Sequence, residues 1–158
     1  MGGISLRGLP DSCGLRFHHF GLAVRQPDQA VRFLTALNYQ LGEAVFDPLQ
    51  NVMLAMGTHI NMPDVELIYP ADSGSGPIGR LLASHKDGLI YHLCYETDDL
   101  EESLSAFKNG GSARVACVVP PKPAVLFGGK PVSFYMVSGV GLIEIIDNAA
   151  IGNQSSET

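Results

Sequence analysis

Apolar and polar positions follow two rhythms along this chain, and the pair of rhythms occurs twice in the same order. "FHHFGLAV" (17–24) reads as a strand bounded by polar residues. Pro27 then stands where a helix start tolerates proline, because that N–H would be unpaired anyway. Ala30, Val31, Phe33, Leu34 and Leu37 follow at the three-and-four spacing of one helical face. Short apolar runs come next: "GEAVF", "NVMLAMG" and "VELIYP". The second cycle opens with "IYHLCYET" (90–97). Its helix has Asp99 and Glu102 at capping-box spacing, an apolar face of Leu100, Leu104 and Phe107, and a stop at "NGG" (109–111). "ARVACVV", "KPVSFYMV" and "GLIEIID" close the cycle.

Sliding the sequence by 73 residues lays "HFGLAVRQPDQAVRFL" (19–34) over "HLCYETDDLEESLSAF" (92–107) without a gap. The pattern predicts an α+β fold of two tandem βαβββ modules. Module one spans 16–72, a connecting helix 73–88 and module two 89–148, with flexible tails at 1–15 and 149–158. In the connector, "GPIGRLLASHKDG" predicts a short helix burying Ile78, Leu81 and Leu82. "GSGPIG" (74–79) follows no strand and lacks G-K-S/T, so it is not a phosphate loop. A Pro/Gly-rich loop, "PPKPAVLFGGKP" (120–131), accounts for about five extra residues in module two.

Each module also carries a histidine in its first strand and a glutamate inside its last: His19 and Glu66, then His92 and Glu144. A buried carboxylate is costly unless paired or bound to a cation. One such residue alone is ordinarily structural. A symmetric set of two imidazoles and two carboxylates suits a divalent first-row metal. Alternation along the strand puts His19 on one face with Gly21 and Ala23, whose small size leaves open space. It puts His18 on the opposite, core face with Phe20, Leu22 and Val24. His92 shares its face with Cys94 and Glu96. His59 and His85 have no repeat partner and read as loop residues.

Composition narrows the class. Of 158 residues, 46% are hydrophobic and 16% charged, which is enough to bury a core and argues against disorder. The net charge of −6 and the absence of any Lys/Arg run argue against a nucleic-acid partner. No apolar run approaches the roughly 18 residues needed to span a membrane. Cys13, Cys94 and Cys117 form no C-x-x-C, so three free thiols in a reducing, cytoplasmic setting are expected.

The stretches "HFGLAV", "VELIYP", "GPIGRLL", "YHLCYETDDLEESLSAFKNGG", "GGKPVSF" and "GLIEIID", spread over 17–147, carry a family likeness. The chain resembles the vicinal oxygen chelate superfamily (glyoxalase I, extradiol dioxygenases, bleomycin-resistance proteins), and within it the methylmalonyl-CoA epimerases most. The resemblance implies a curved, partly open sheet around a metal-binding cleft. It implies one divalent ion (Co, Mn, Ni, Zn or Fe) held by His19, Glu66, His92 and Glu144, and an epimerase or isomerase working through a metal-stabilised enolate. Glu144 would double as the catalytic proton carrier. Phe127 and Lys130 would line the mouth for a small-molecule substrate, an acyl-CoA thioester, in a homodimeric protein. A glyoxalase I-like lyase acting on a thiol adduct and a non-catalytic antibiotic-binding protein are the alternatives on this fold. The epimerases also carry a second acidic residue on the strand before "VELIYP". Here Val52 or Met53 stands at that place, with Gln50 and Asp47 nearby at the strand entry, so whether a second catalytic acid exists is left open. Arg80, Lys86, Lys122 and Lys130 are the basic residues expected near the cleft.

Overall fold

The computed structural model describes residues 13–72, 76–110 and 114–149. Most of both predicted tails, the start of the connecting segment and the end of "NGG" lie outside them. Module one contains β1 (Arg16–Ala23), α1 (Asp28–Ala36), β2 (Gln40–Leu41), β3 (Val45–Asp47), β4 (Val52–Thr58) and β5 (Asp64–Pro70). Helix α2 (Pro77–Ala83) connects it to β6 (Leu89–Thr97), α3 (Leu100–Gly110), β7 (Val115–Pro123), a 3-10 turn (Val125–Phe127), β8 (Pro131–Val137) and β9 (Gly141–Asp147). The strands form one open, curved mixed sheet in the order β2-β4-β5-β1-β6-β9-β8-β7, with β3 on β4.

In each module the last strand returns parallel to the first: β5 beside β1 and β9 beside β6. The modules meet where β1 and β6 pair antiparallel. The antiparallel seam, with the parallel closing strands on either side, relates the two modules by a pseudo-twofold axis. The closing strands are apolar on both faces. Leu67 packs with Val24 and Ala55, whereas its neighbour Ile68 packs with Ala23, Val52, Leu54 and helix α2. Ile143 and Ile145 meet Tyr135, Val137 and α3, whereas Ile146 joins Cys94, Val132 and Phe134. Such strands, covered on both sides, read as near-continuous apolar runs. The two glutamates interrupt those runs.

The helices keep most of their expected faces. Leu100, Leu104 and Phe107 of α3 pack on the β8–β9 cluster. Asp99 Oδ1 accepts the Glu102 N–H at 2.9 Å, but the return bond of a capping box is replaced by the Asp99 N–H donating to Thr97 Oγ1. Ile78 and Leu82 of α2 are buried. On α1 only Leu34 is buried and Phe33 remains 62% exposed, so that face is half covered.

Two expectations are corrected. "GEAVF" is not one strand. Gly42, Glu43 and Ala44, poor strand formers, separate β2 from β3. The 120–131 segment is not all loop, because β7 continues through Pro120 and Pro121 to Pro123. It can do so because β7 is the outermost strand, where a missing N–H goes unnoticed, and the register shift between Val119 and Lys122 spans Pro120 and Pro121.

Candidate metal centre and the cavity above it

The β1–β6 seam positions the site. Across it Gly21 faces His92 and His19 faces Cys94. In the flanking parallel ladders Gly21 pairs with Glu66 and Cys94 with Glu144. Each glutamate therefore sits beside the residue two positions beyond its module's histidine. Alternation then turns all four side chains to one face. The predicted open space beside His19 is filled: a Cβ at Gly21 would lie 2.3 Å from His92 Cε1. The glycine is what lets the second imidazole come in over the seam.

The four groups converge. His19 Nε2 lies 3.7 Å from Glu66 Oε2 and 3.5 Å from Glu144 Oε2. His92 Nε2 lies 3.7 and 3.4 Å from the same atoms, and the two Nε2 atoms are 3.3 Å apart. All four residues are buried. Bonds of about 2.1 Å in a tetrahedron give edges of about 3.4 Å, so this spacing fits one ion at the centre. Glu144 Oε2 is buried with no hydrogen-bond donor, which also fits a cation partner. Without an ion the groups share protons instead. Burial lowers the affinity of His19 for a proton, but the facing carboxylates of Glu144 and Glu66 outweigh it and push its pKa up to about 9. Burial alone would raise Glu144, yet the His19 and His92 imidazoles, 3.5 and 3.4 Å from its Oε2, bring it down to about 2. Burial dominates at Glu66 and holds it above the ordinary carboxylate range.

A cavity of about 210 Å³ opens above the carboxylates. Glu66 and Glu144 form its floor. Asp47 and Gln50 stand on the module-one side, Phe134 and Val132 on the module-two side, and Leu126 and Phe127 of the 3-10 turn at the rim. Phe127, expected at the mouth, is among the residues that line the cavity. Lys130 is not among the lining residues. Its ammonium donates to Asn148 Oδ1 at 2.8 Å, and Asn148 donates to Glu96. Lys122 supplies the basic group among the lining residues instead.

Three placements go beyond the sequence reading. Asp47 lines the cavity and is buried, with Oδ1 accepting the Leu49 N–H and Oδ2 the Gln50 amide. Met53 is not in the lining, so the acid near the site comes from the end of β3 rather than from β4. The signal was an Asp before a proline at a strand end, hidden by the unseen β2–β3 break. His18 and Tyr91 are the other two. His18 is not on the core face. The β1–β6 register slips between Phe17 and His19, leaving His18 as the extra residue of a bulge. Its ring turns to the site face, with Nδ1 2.8 Å from His19 Nδ1 and its centroid 5.5 Å from that of Phe127. Burial, then the neighbouring His19 charge, hold His18 below its ordinary pKa. The second slip, between Gly21 and Leu22, leaves Tyr91 as the extra residue on β6. Tyr91 is the repeat partner of His18. It lies edge-on to His92 at 4.4 Å and joins the cavity wall.

Paired βαβββ modules closed around an inward His/Glu tetrad define the class, and residues 18–134 match the Glyoxalase/Bleomycin resistance protein/Dioxygenase superfamily. The chain belongs to that superfamily. Within it, the sequence is 33% identical over 122 residues to the ethylmalonyl-CoA/methylmalonyl-CoA epimerase of Cereibacter sphaeroides, covering 75% of this chain and 86% of that protein. It is 27% identical over 133 residues to the mitochondrial methylmalonyl-CoA epimerase of Bos taurus, covering 82% and 73%. The fold is that of the methylmalonyl-CoA epimerase from Mycobacterium tuberculosis, with a TM-score of 0.67, 21% identity and coverage of 89% and 93%. A methylmalonyl-CoA epimerase solved with methylmalonyl-CoA and NH4+ superposes equally well, with a TM-score of 0.67, 20% identity and coverage of 87% and 96%. Among the described residues, no helix is long and apolar enough to cross a membrane.

Proposed function

We propose that this protein is a divalent-metal-dependent epimerase of a 2-alkylmalonyl-CoA thioester. The observation that carries the reading is the pairing of Glu144 and Asp47 on one cavity. They stand on β9 and β3, on opposite sides of the β1–β6 seam. Epimerisation removes a proton from one face of a carbon and returns one to the other face. It therefore needs two proton carriers that face each other.

His19, Glu66, His92 and Glu144 hold the ion in this reading. A bound divalent ion supplies Lewis-acid stabilisation of the negative charge that develops on the thioester oxygen. Glu144 takes the proton from the carbon between the two carbonyl groups and becomes a carboxylic acid. Asp47 is the proton carrier on the opposite face, returning a proton there as Glu144 takes one. Exchange with solvent then resets both groups. Lys122 meets the free carboxylate of the substrate, and Phe127 with Leu126 shields the reacting end from water. The cavity is smaller than the roughly 300–1,000 Å³ of a drug-sized pocket. It accommodates a short alkylmalonyl head and leaves the coenzyme A portion outside. The same reading includes a cytoplasmic homodimer, which light scattering would place at twice the 16.8 kDa chain mass.

The test is proton exchange. Ion-loaded protein in D2O, mixed with one epimer of 2-methylmalonyl-CoA, is expected to form the other epimer with deuterium at C2, followed by NMR. Glu144→Gln should slow that exchange by about 10²–10⁴-fold. Unchanged substrate in the presence of the bound ion would refute the assignment.

A further inference from the structure

The two histidines of the tetrad are held differently. His19 has a partner at the ring nitrogen that points away from the carboxylates: His18 Nδ1, at 2.8 Å. The equivalent nitrogen of His92, also buried, has no partner. The difference follows from the two bulges. At the bulge before His19 the chain places an imidazole, and at the bulge before His92 it places a tyrosine.

Two Nδ1 atoms at hydrogen-bond distance need one proton between them. His19 must present a lone pair at Nε2 to bind an ion, so its proton lies on Nδ1. His18 Nδ1 is then the acceptor, with its own proton on Nε2. A metal-bound histidine normally donates this second N–H to a carboxylate, a carbonyl or a water. We propose that His18, re-aimed by the β1 bulge, is a positioning residue of the metal centre, accepting the His19 Nδ1–H and fixing the ring that binds the ion. The inference rests on the metal reading above.

Geometry supports the assignment over packing alone. The His18 ring stands at 80° to that of His19 and edge-on to Phe127 at 79°, so Phe127 braces it from the cavity side. His18 and His19 also lie close enough to Cys94 for the three to be grouped as ligands of a second ion. That arrangement would require His19 to give up both ring protons and to bridge two ions, and Cys94 to become a buried thiolate. Cys94 lies among Val132, Phe134 and Ile146, and its thiol is within 3.6 Å of the Tyr95 carbonyl oxygen. The neutral hydrogen bond needs none of this.

The experiment uses Zn²⁺ as the probe with ¹⁵N-histidine-labelled full-length protein. Wild type should bind one ion per chain. Its NMR spectrum should show a downfield His19 Nδ1–H and a ¹⁵N–¹⁵N coupling through that proton to His18 Nδ1, with no such coupling for His92. His18→Phe keeps a ring but no acceptor, and its Zn²⁺ affinity should fall about 10–100-fold. His18→Asn places an amide oxygen near the lost nitrogen and should restore affinity to within about threefold of wild type, together with the downfield proton. The proposal is overturned by the absence of coupling in the zinc-loaded wild type, by wild-type affinity in His18→Phe, by equal losses in Phe and Asn, or by a second zinc ion per chain. Failure of the wild type to bind any ion would overturn the metal reading itself along with it. The wild-type coupling decides the point even if a variant does not fold.

Discussion

Gly21 offers the sharpest structural lever on the site. The Gly21→Ala side chain would place its Cβ 2.3 Å from His92 Cε1, 2.5 Å from Nδ1 and 2.8 Å from Nε2. Ordinary contact begins near 3.4 Å, so the ring must retreat by about 1 Å. It has little room: the Tyr91 and Phe134 rings already pack edge-on against it, their centroids 4.4 and 5.6 Å from its own. Metal–ligand distances tolerate only about ±0.2 Å, so a 1 Å displacement removes His92 as a ligand. The expected result is a loss of at least about 100-fold in Co²⁺ or Zn²⁺ affinity, measured by competition with a chromophoric chelator. Overpacking should cost about 1–3 kcal/mol in urea unfolding, partly offset because alanine is less flexible than glycine in the unfolded chain. A Gly21→Ala protein that folds and binds within about threefold of wild type would refute the claim that His92 reaches the ion through the space above Gly21.

Other outcomes follow from the same geometry. Asp47→Asn should abolish conversion between epimers while leaving Glu144 to exchange deuterium into one epimer, because only one face then loses its proton carrier. If both processes survive, Asp47 has no such role. In the ion-free protein the His19 pKa is raised from 6.5 to about 9. The stability it contributes is complete below pH 6.5 and lost as pH rises through 9, which urea melts across that window will read. An ion must displace that proton, so affinity should climb roughly tenfold per pH unit over the same range, with proton release visible by calorimetry in buffers of different ionisation enthalpy. Ile145→Ala, at a position 1% exposed beneath α3, should lose about 2–5 kcal/mol of stability in the same melts without altering zinc stoichiometry.

Much of this molecule was legible before its structure. The 73-residue repeat carried the module order and the candidate tetrad, because a gapless offset constrains two strands and two helices at once. What alternation misjudged was local. It assumes an unbroken pleat, and a bulge stands before each histidine. One inserted residue sends His18 and Tyr91 to the face that period-two counting denies them. Asp47, noted only as lying near the strand entry, could not be placed in the cavity for a related reason: β3 is three residues long and carries no periodic signal of its own. Lys130 was chosen for its proximity to Phe127 in sequence. Left-handed turns at Gly128 and Gly129 follow Phe127, and the ammonium ends on Asn148 rather than over the cavity. Pro120 and Pro121 suggested loop because the edge position of β7 cannot be read from β7 itself.

The central claim is that four side chains drawn from both halves of the repeat bind a single ion. Equilibrium dialysis of the purified protein against Co²⁺, with metal content determined by elemental analysis, tests it most directly. The account predicts one ion per chain in the wild type, none retained by His19→Ala or His92→Ala at the same free concentration, and loss from either module alone sufficient to empty the site. A wild type that remains ion-free, or a single-module variant that still holds one equivalent, would contradict it.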